Sequence, residues 1–80
     1  MRGLSWYGDS KGDVEMDKLI DAKTPIRIFH KEGWTLEGIP VRQTGEDLDV
    51  DLKLDFEGNR GDFGVCSVLR WNIKGVEIIK

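Results

Sequence analysis

The stretch "TPIRIFHKEGWTLEGI", Thr24 to Ile39, decides the fold. Ile26 and Ile28 alternate with Arg27 and Phe29, the period-two pattern of a strand with one buried face. Lys31-Glu32-Gly33 interrupts it as a tight turn, with the glycine supplying the positive φ that such turns require. A second run follows. Trp34, Leu36 and Gly38 share one side of it, and Ile39 and Val41 the other. Glycine inside a strand marks a bulge or a corner where a sheet bends hard. The second run therefore reads as one long coiled strand that serves both sides of a small barrel. Pro40 donates no ladder hydrogen bond and fits a bend or an edge there.

Before this hairpin, "DVEMDKLIDAK", Asp13 to Lys23, predicts a short helix. Asp13 reads as its N-cap, and Val14 or Met16 with Leu19, Ile20 and Lys23 forms an i, i+3, i+4 stripe. Acids come first and lysines later, which suits the helix dipole. Pro25 ends it and pushes Thr24 toward extended geometry. A helix this short is marginal alone in water, so it is expected to lie on an open end of the barrel. Residues 1–12, "MRGLSWYGDSKG", show no period and read as a flexible arm ahead of a barrel domain at 13–80. Trp6 and Tyr7 in that arm are read either as a cover for an apolar patch or as a stacking contact.

After the hairpin, Asp47 to Glu57 alternate without a break. Acids and Lys53 take one side, and Leu48, Val50, Leu52, Leu54 and Phe56 the other. One face is buried and the other is wet and acidic. "GNRG", Gly58 to Gly61, reads as a turn. Val65–Trp71 reads as a fourth strand, Asn72-Ile73-Lys74 as a corner, and Gly75–Lys80 as a fifth. The fold class expected is mainly β: a short N-terminal helix followed by a five-stranded, strongly bent antiparallel small barrel.

Composition narrows what such a barrel does. The chain has 80 residues, one cysteine and one histidine. A domain this size buries a modest share of its surface and often needs a staple. Cys66 alone makes no internal disulfide. His30 and Cys66 are too few for a zinc site within one chain. Self-association is the remaining compensation. The net charge of −3 argues against broad, non-specific duplex binding, which rests on many phosphate contacts. No apolar run has the length of a membrane span, and the unpaired cysteine suits the cytoplasm, the expected location.

Two segments carry a family resemblance. "PIRIFHKEGWTLEG", Pro25 to Gly38, resembles the first hairpin of the Sm-like family: an apolar–polar–apolar strand, a turn glycine, and an apolar residue two before a bend glycine. "VLRWNIKGVEII", Val68 to Ile79, is similar to the closing hairpin of its bacterial Hfq branch. Leu69-Arg70-Trp71 falls where Hfq has Tyr-Lys-His and Sm proteins have Ile-Arg-Gly. A second register places Ile73-Lys74-Gly75 there; the first leaves the longer final strand. The likeness covers residues 13–79. It departs at "TGEDLD", where the Asp-x-Met-Asn signature and the Gln-Phe pair of the uridine site are absent. The resemblance implies a homo-oligomeric ring of five to seven subunits, in which the fourth strand of one pairs with the fifth of the next. It also implies single-stranded RNA as ligand. Arg70 and Trp71 would face opposite sides of a strand end at the central pore.

On this basis the expected RNA contacts are Arg70 for phosphate and Trp71 for stacking, with Lys74 and Arg42 adding to a basic pore or rim. Each also has an ordinary reading as an interface or solvated residue. His30 and Lys31 close the first strand, and nothing pairs the histidine with a nucleophile. Asp47, Asp49, Asp51 and Asp55 are oxygen ligands by type. However, alternate strand residues lie about 7 Å apart, too far to share an ion easily. "RGD" at Arg60–Asp62 and "DFG" at Asp62–Gly64 read as turn composition. Cys66 reads as a buried structural thiol. No nucleophile–base set, phosphate loop or metal cluster assembles from these residues, so no enzyme activity and no cofactor are expected. Two functions stand side by side: an oligomeric Sm-like module contacting single-stranded RNA at its pore, and a ring-forming protein-interaction or structural module without RNA. The acidic third strand motivates the second and would select a basic protein partner.

Overall fold

The computed structural model describes residues 2–4, 10–55 and 57–79. In chain order the elements are β1 (Arg2–Leu4), α1 (Ser10–Asp21), β2 (Ile26–His30), β3 (Thr35–Gln43), β4 (Asp47–Leu54), β5 (Arg60–Leu69), a 3-10 turn (Arg70–Asn72) and β6 (Ile73–Ile78). The chain is mainly β, with a short helix followed by five antiparallel strands. The sheet order is β1-β6-β2-β3-β4-β5. The expected barrel is not closed: among the described residues no ladder joins β5 to the β1–β6 side.

The deciding hairpin forms as its pattern requires. Ile28 faces Leu36 and Ile26 faces Gly38 across β2 and β3. Gly33 takes φ +101° and donates its N–H to His30 O at 2.9 Å, closing the turn. Gly38 is where the β3–β4 register slips. A Cβ there would overlap the Asp51 carbonyl oxygen and sit 2.7 Å from Val50 Cγ1. Only glycine lets the two backbones approach this closely. One expectation changes. Leu36, Gly38 and Pro40 stay inward while Val41 is 48% exposed, so β3 has a single apolar buried face, and on its other side the buried residue Glu37 is charged. A second register slip between Pro40 and Arg42 absorbs the missing proline donor.

The helix begins at Ser10, so Ser10–Gly12 belong to it and Asp13 lies inside its first turn, not at the cap. Met16 is fully buried and Val14 is 56% exposed, which settles the stripe in favour of Met16, Leu19 and Ile20. Lys23 takes φ +53° and donates to Ile20 O at 3.1 Å, while Thr24 donates to Leu19 O at 3.0 Å. This paired 6→1 and 5→2 bonding is a Schellman ending. It stops the helix just ahead of Pro25. No helix among the described residues is long and apolar enough to cross a membrane.

β4 alternates as expected, with Leu48, Val50, Leu52 and Leu54 buried. The expected contribution of Phe56 lies outside the described residues. β5 starts five residues earlier than its apolar stretch suggests. Asp55 Oδ1 accepts from the N–H groups of Glu57 at 3.0 Å and Asn59 at 2.9 Å, which confines the turn and frees Arg60 and Gly61 for the strand. The final corner is Arg70–Asn72, not Asn72–Lys74, and Arg70 and Trp71 occupy this turn, not a strand end. Ile73 is buried and opens β6. Part of the arm is a strand: Arg2, Gly3 and Leu4 pair with Ile78, Glu77 and Val76. Trp6 and Tyr7 lie outside the described residues. One cluster containing Met16, Ile26, Ile28, Leu48, Val50 and Val76 joins the helix to the inner face of the sheet.

Candidate functional site

Two local constraints build the corner between β5 and β6. The Arg70 N–H donates to Glu46 O at 2.8 Å and Arg70 Nη1 to Thr44 O at 2.7 Å, tying the corner to the β3–β4 loop. On the other side Lys31 N–H donates to Asn72 O at 2.9 Å, tying it to the β2–β3 turn. Three segments distant in sequence thus meet at one end of the sheet. Trp71 stands there 56% exposed, with Lys31 exposed in the β2–β3 turn and Lys74 exposed at the start of β6.

Beside the corner lies a feature that the sequence reading passed over. The His30 and Trp34 rings stack, with centroids 3.8 Å apart and planes within 14°. The cause is local. His30 N–H donates to Trp34 O at 3.0 Å, so the two residues face each other across the turn and their side chains share one side. His30 Nδ1 accepts the Glu32 N–H at 3.1 Å, which leaves Nε2 to carry the ring proton. Trp34 Nε1 points to Glu32 Oε2 at 3.4 Å. A cleft of ≈ 350 Å³ opens on one side of the pair, lined by Phe29, Gly33, Lys74 and Gly75 as well. A second, of ≈ 340 Å³, opens toward Cys66, Leu69 and Asn72. Two aromatic residues flanking a three-residue turn were the available signal for this stack.

The four residues expected to touch RNA sit on three elements. Arg70 and Trp71 share the corner. Lys74 lines the first cleft. Arg42 lies near the end of β3, where its guanidinium bonds Asp49 Oδ2 at 3.0 and 3.2 Å. Cys66 is exposed, not buried, because β5 is a sheet edge.

Electrostatics separate this end from the outer face. Glu37 is buried and accepts from Arg27 Nε and Arg60 Nη1, both at 3.0 Å; Arg27 Nη1 reaches Glu77 Oε1 at 2.7 Å. Burial pushes the Glu37 carboxyl up, but the hydrogen bonds from Arg60 and Arg27 outweigh it and hold it below its ordinary value. The Glu37 hydrogen bond raises Arg27 in turn. Part of the acidic row on β4 is likewise paired. Asp49 is lowered, first by the Ser67 hydroxyl at 2.7 Å and then by Arg42, and Lys53 bonds Asp62. Among the described residues no group of three His, Cys, Asp or Glu side chains is placed to hold a metal ion.

Set against known proteins, the chain matches no family model and shows no significant match to a curated protein.

Proposed function

We propose that this chain is an Sm-like binding module that contacts single-stranded RNA at the β5–β6 corner. One observation carries the reading: an exposed tryptophan, Trp71, stands at a corner where the segments that carry Lys31, Arg70 and Lys74 converge, in a domain whose net charge is −3. Aromatic platforms beside cations are what single strands require, because every base has a face to stack and every linkage a charge to meet. The His30–Trp34 stack and its cleft, with Lys74 on the wall, extend the platform. The Sm-like part of the reading is supported by the glycine bend of β3 and by the last two strands lying on opposite flanks of the β2–β3–β4 core of the sheet.

Fluorescence anisotropy with labelled U-rich and A-rich oligonucleotides tests it. Binding is expected at about 50 mM salt, where phosphate contacts are strong. Trp71→Ala removes one stacking partner, costing about 1–3 kcal/mol, roughly 5- to 150-fold in affinity. Lys74→Ala lowers the salt slope by about 0.7. No binding to either oligonucleotide at low salt refutes the proposal.

A second reading, a protein-interaction or structural module without RNA, draws on β5. Phe63, Val65 and Leu69 are 43%, 59% and 39% exposed there, an apolar strip unusual for a free surface. Nuclease-insensitive capture of a basic protein, with no RNA recovered, would favour it.

A further inference from the structure

The two edges of the sheet are unequal. One is β1, three residues long, laid over β6. The other is β5, ten residues long, and among the described residues no strand pairs with its outer side. A bare apolar edge is a template for another strand. Residues 63–69, "FGVCSVL", carry no charge at all. The edge of β6 is already occupied by the chain's own β1, so adding a neighbour's β5 to β6 requires β1 to leave. Two β5 edges pair with each other without displacing anything.

We infer that β5 is a self-docking edge, joining two copies of this chain in an antiparallel, two-fold symmetric dimer centred on Cys66. Residues opposite one another in such a pair share a face, so the axis runs through the sheet at a single residue. Centring on Val65 leaves only Gly64–Cys66 within the part of β5 whose register with β4 is unbroken. Centring on Ser67 shortens the ladder to Val65–Leu69. Centring on Cys66 sets Val65 against Ser67 and Gly64 against Val68, within the span whose pairing with β4 is unbroken, and carries the ladder on toward Phe63 and Leu69 at its ends. The neighbouring β4 row disfavours acidic occupants. Asp49 and Asp51 stand beside Ser67 and Val65, so an acidic strand or a nucleic-acid backbone laid on this edge meets carboxylates, whereas a second β5 brings none to the centre. The dimer does not rest on the RNA reading, and it pairs β5 with β5 in place of the ring that the Sm-like resemblance implies.

Cys66 makes the register measurable. Opposed residues in an antiparallel pair have Cα atoms about 4.5–5.5 Å apart, within the span of a disulfide. Mild oxidation of the full chain with copper–phenanthroline is expected to give a Cys66–Cys66 product of twice the chain mass on non-reducing gels. Light scattering without oxidant is expected to give the dimer mass. Val65→Lys puts a charge in the ladder at a position already 59% exposed. It should cut cross-linking at least tenfold and return the mass to one chain, with the circular dichroism spectrum unchanged. A single-chain mass for the unaltered protein overturns the inference. So does a larger ring without the Cys66–Cys66 product, which would mean β5 pairs with a different strand. Equal cross-linking of the unaltered protein and the variant overturns it too, since that is random collision.

Discussion

Lys23 and Gly38 show how single positions set the chain path. Lys23 holds a left-handed conformation that closes the helix, at φ +53°. That conformation costs an L-residue about 1–2 kcal/mol, and glycine loses about 0.5–1 kcal/mol of extra chain entropy on folding. Lys23→Gly is therefore expected to stabilise the protein by roughly 0.5–1 kcal/mol in urea denaturation. A loss of stability would show that the lysine side chain does more than end the helix. Gly38→Ala should act in the opposite sense. Its methyl meets backbone, which does not yield as a flexible side chain does, and overpacking of this kind costs about 1–3 kcal/mol. An unchanged urea midpoint would mean that β3 and β4 separate easily.

The strands are joined by a polar row as well as by ladders. Glu77, Arg27 and Glu37 lie side by side across β6, β2 and β3, and Arg60 reaches the same Glu37 from β5. Glu37 and Asp49 both have lowered folded values, so the unfolded chain takes up protons first as the solution is acidified. Their stabilisation is complete above the ordinary carboxylate range, near pH 4, and is lost as pH falls through the folded values. The urea midpoint is expected to hold steady from about pH 7 to 5.5 and to fall below about pH 4.5. Glu37→Gln should lower stability at pH 7 by about 1–3 kcal/mol and make the acid decline shallower. Parallel declines for both proteins would show that the row contributes little. The helix depends on packing in a different way. Met16 is fully buried, and Met16→Ala is expected to cost about 2–5 kcal/mol.

Size governs the behaviour of the whole molecule. A domain of 80 residues has a thin margin, and coupling between copies raises it by mass action. Pairing through β5 predicts a melting temperature that climbs with protein concentration, and a Val65→Lys variant that melts at one temperature at every concentration. Differential scanning calorimetry over a hundredfold concentration range checks both. A concentration-independent melt for the unaltered chain would leave the exposed β5 strip without this role.

Most of the elements were readable from local pattern. The period-two runs at Ile26–Ile28 and Leu48–Leu54 need no tertiary information, since a side chain's face follows from its place along a pleated strand. Gly33 announced a turn and Gly38 a bend, because glycine is the residue that tolerates such backbone most readily. What local pattern left undecided were ends, edges and partners. Arg60 entered β5 because Asp55 capped the preceding turn, and Arg70 left it because the β3–β4 loop held its backbone. Arg42 reads as a free cation until Asp49 is seen beside it. The His30–Trp34 stack exists only once the turn closes. That β1 covers β6 while β5 stays bare is a matter of which distant backbones meet. Backbone hydrogen bonds between strands carry no mark of side-chain identity, so only the folded chain could decide it.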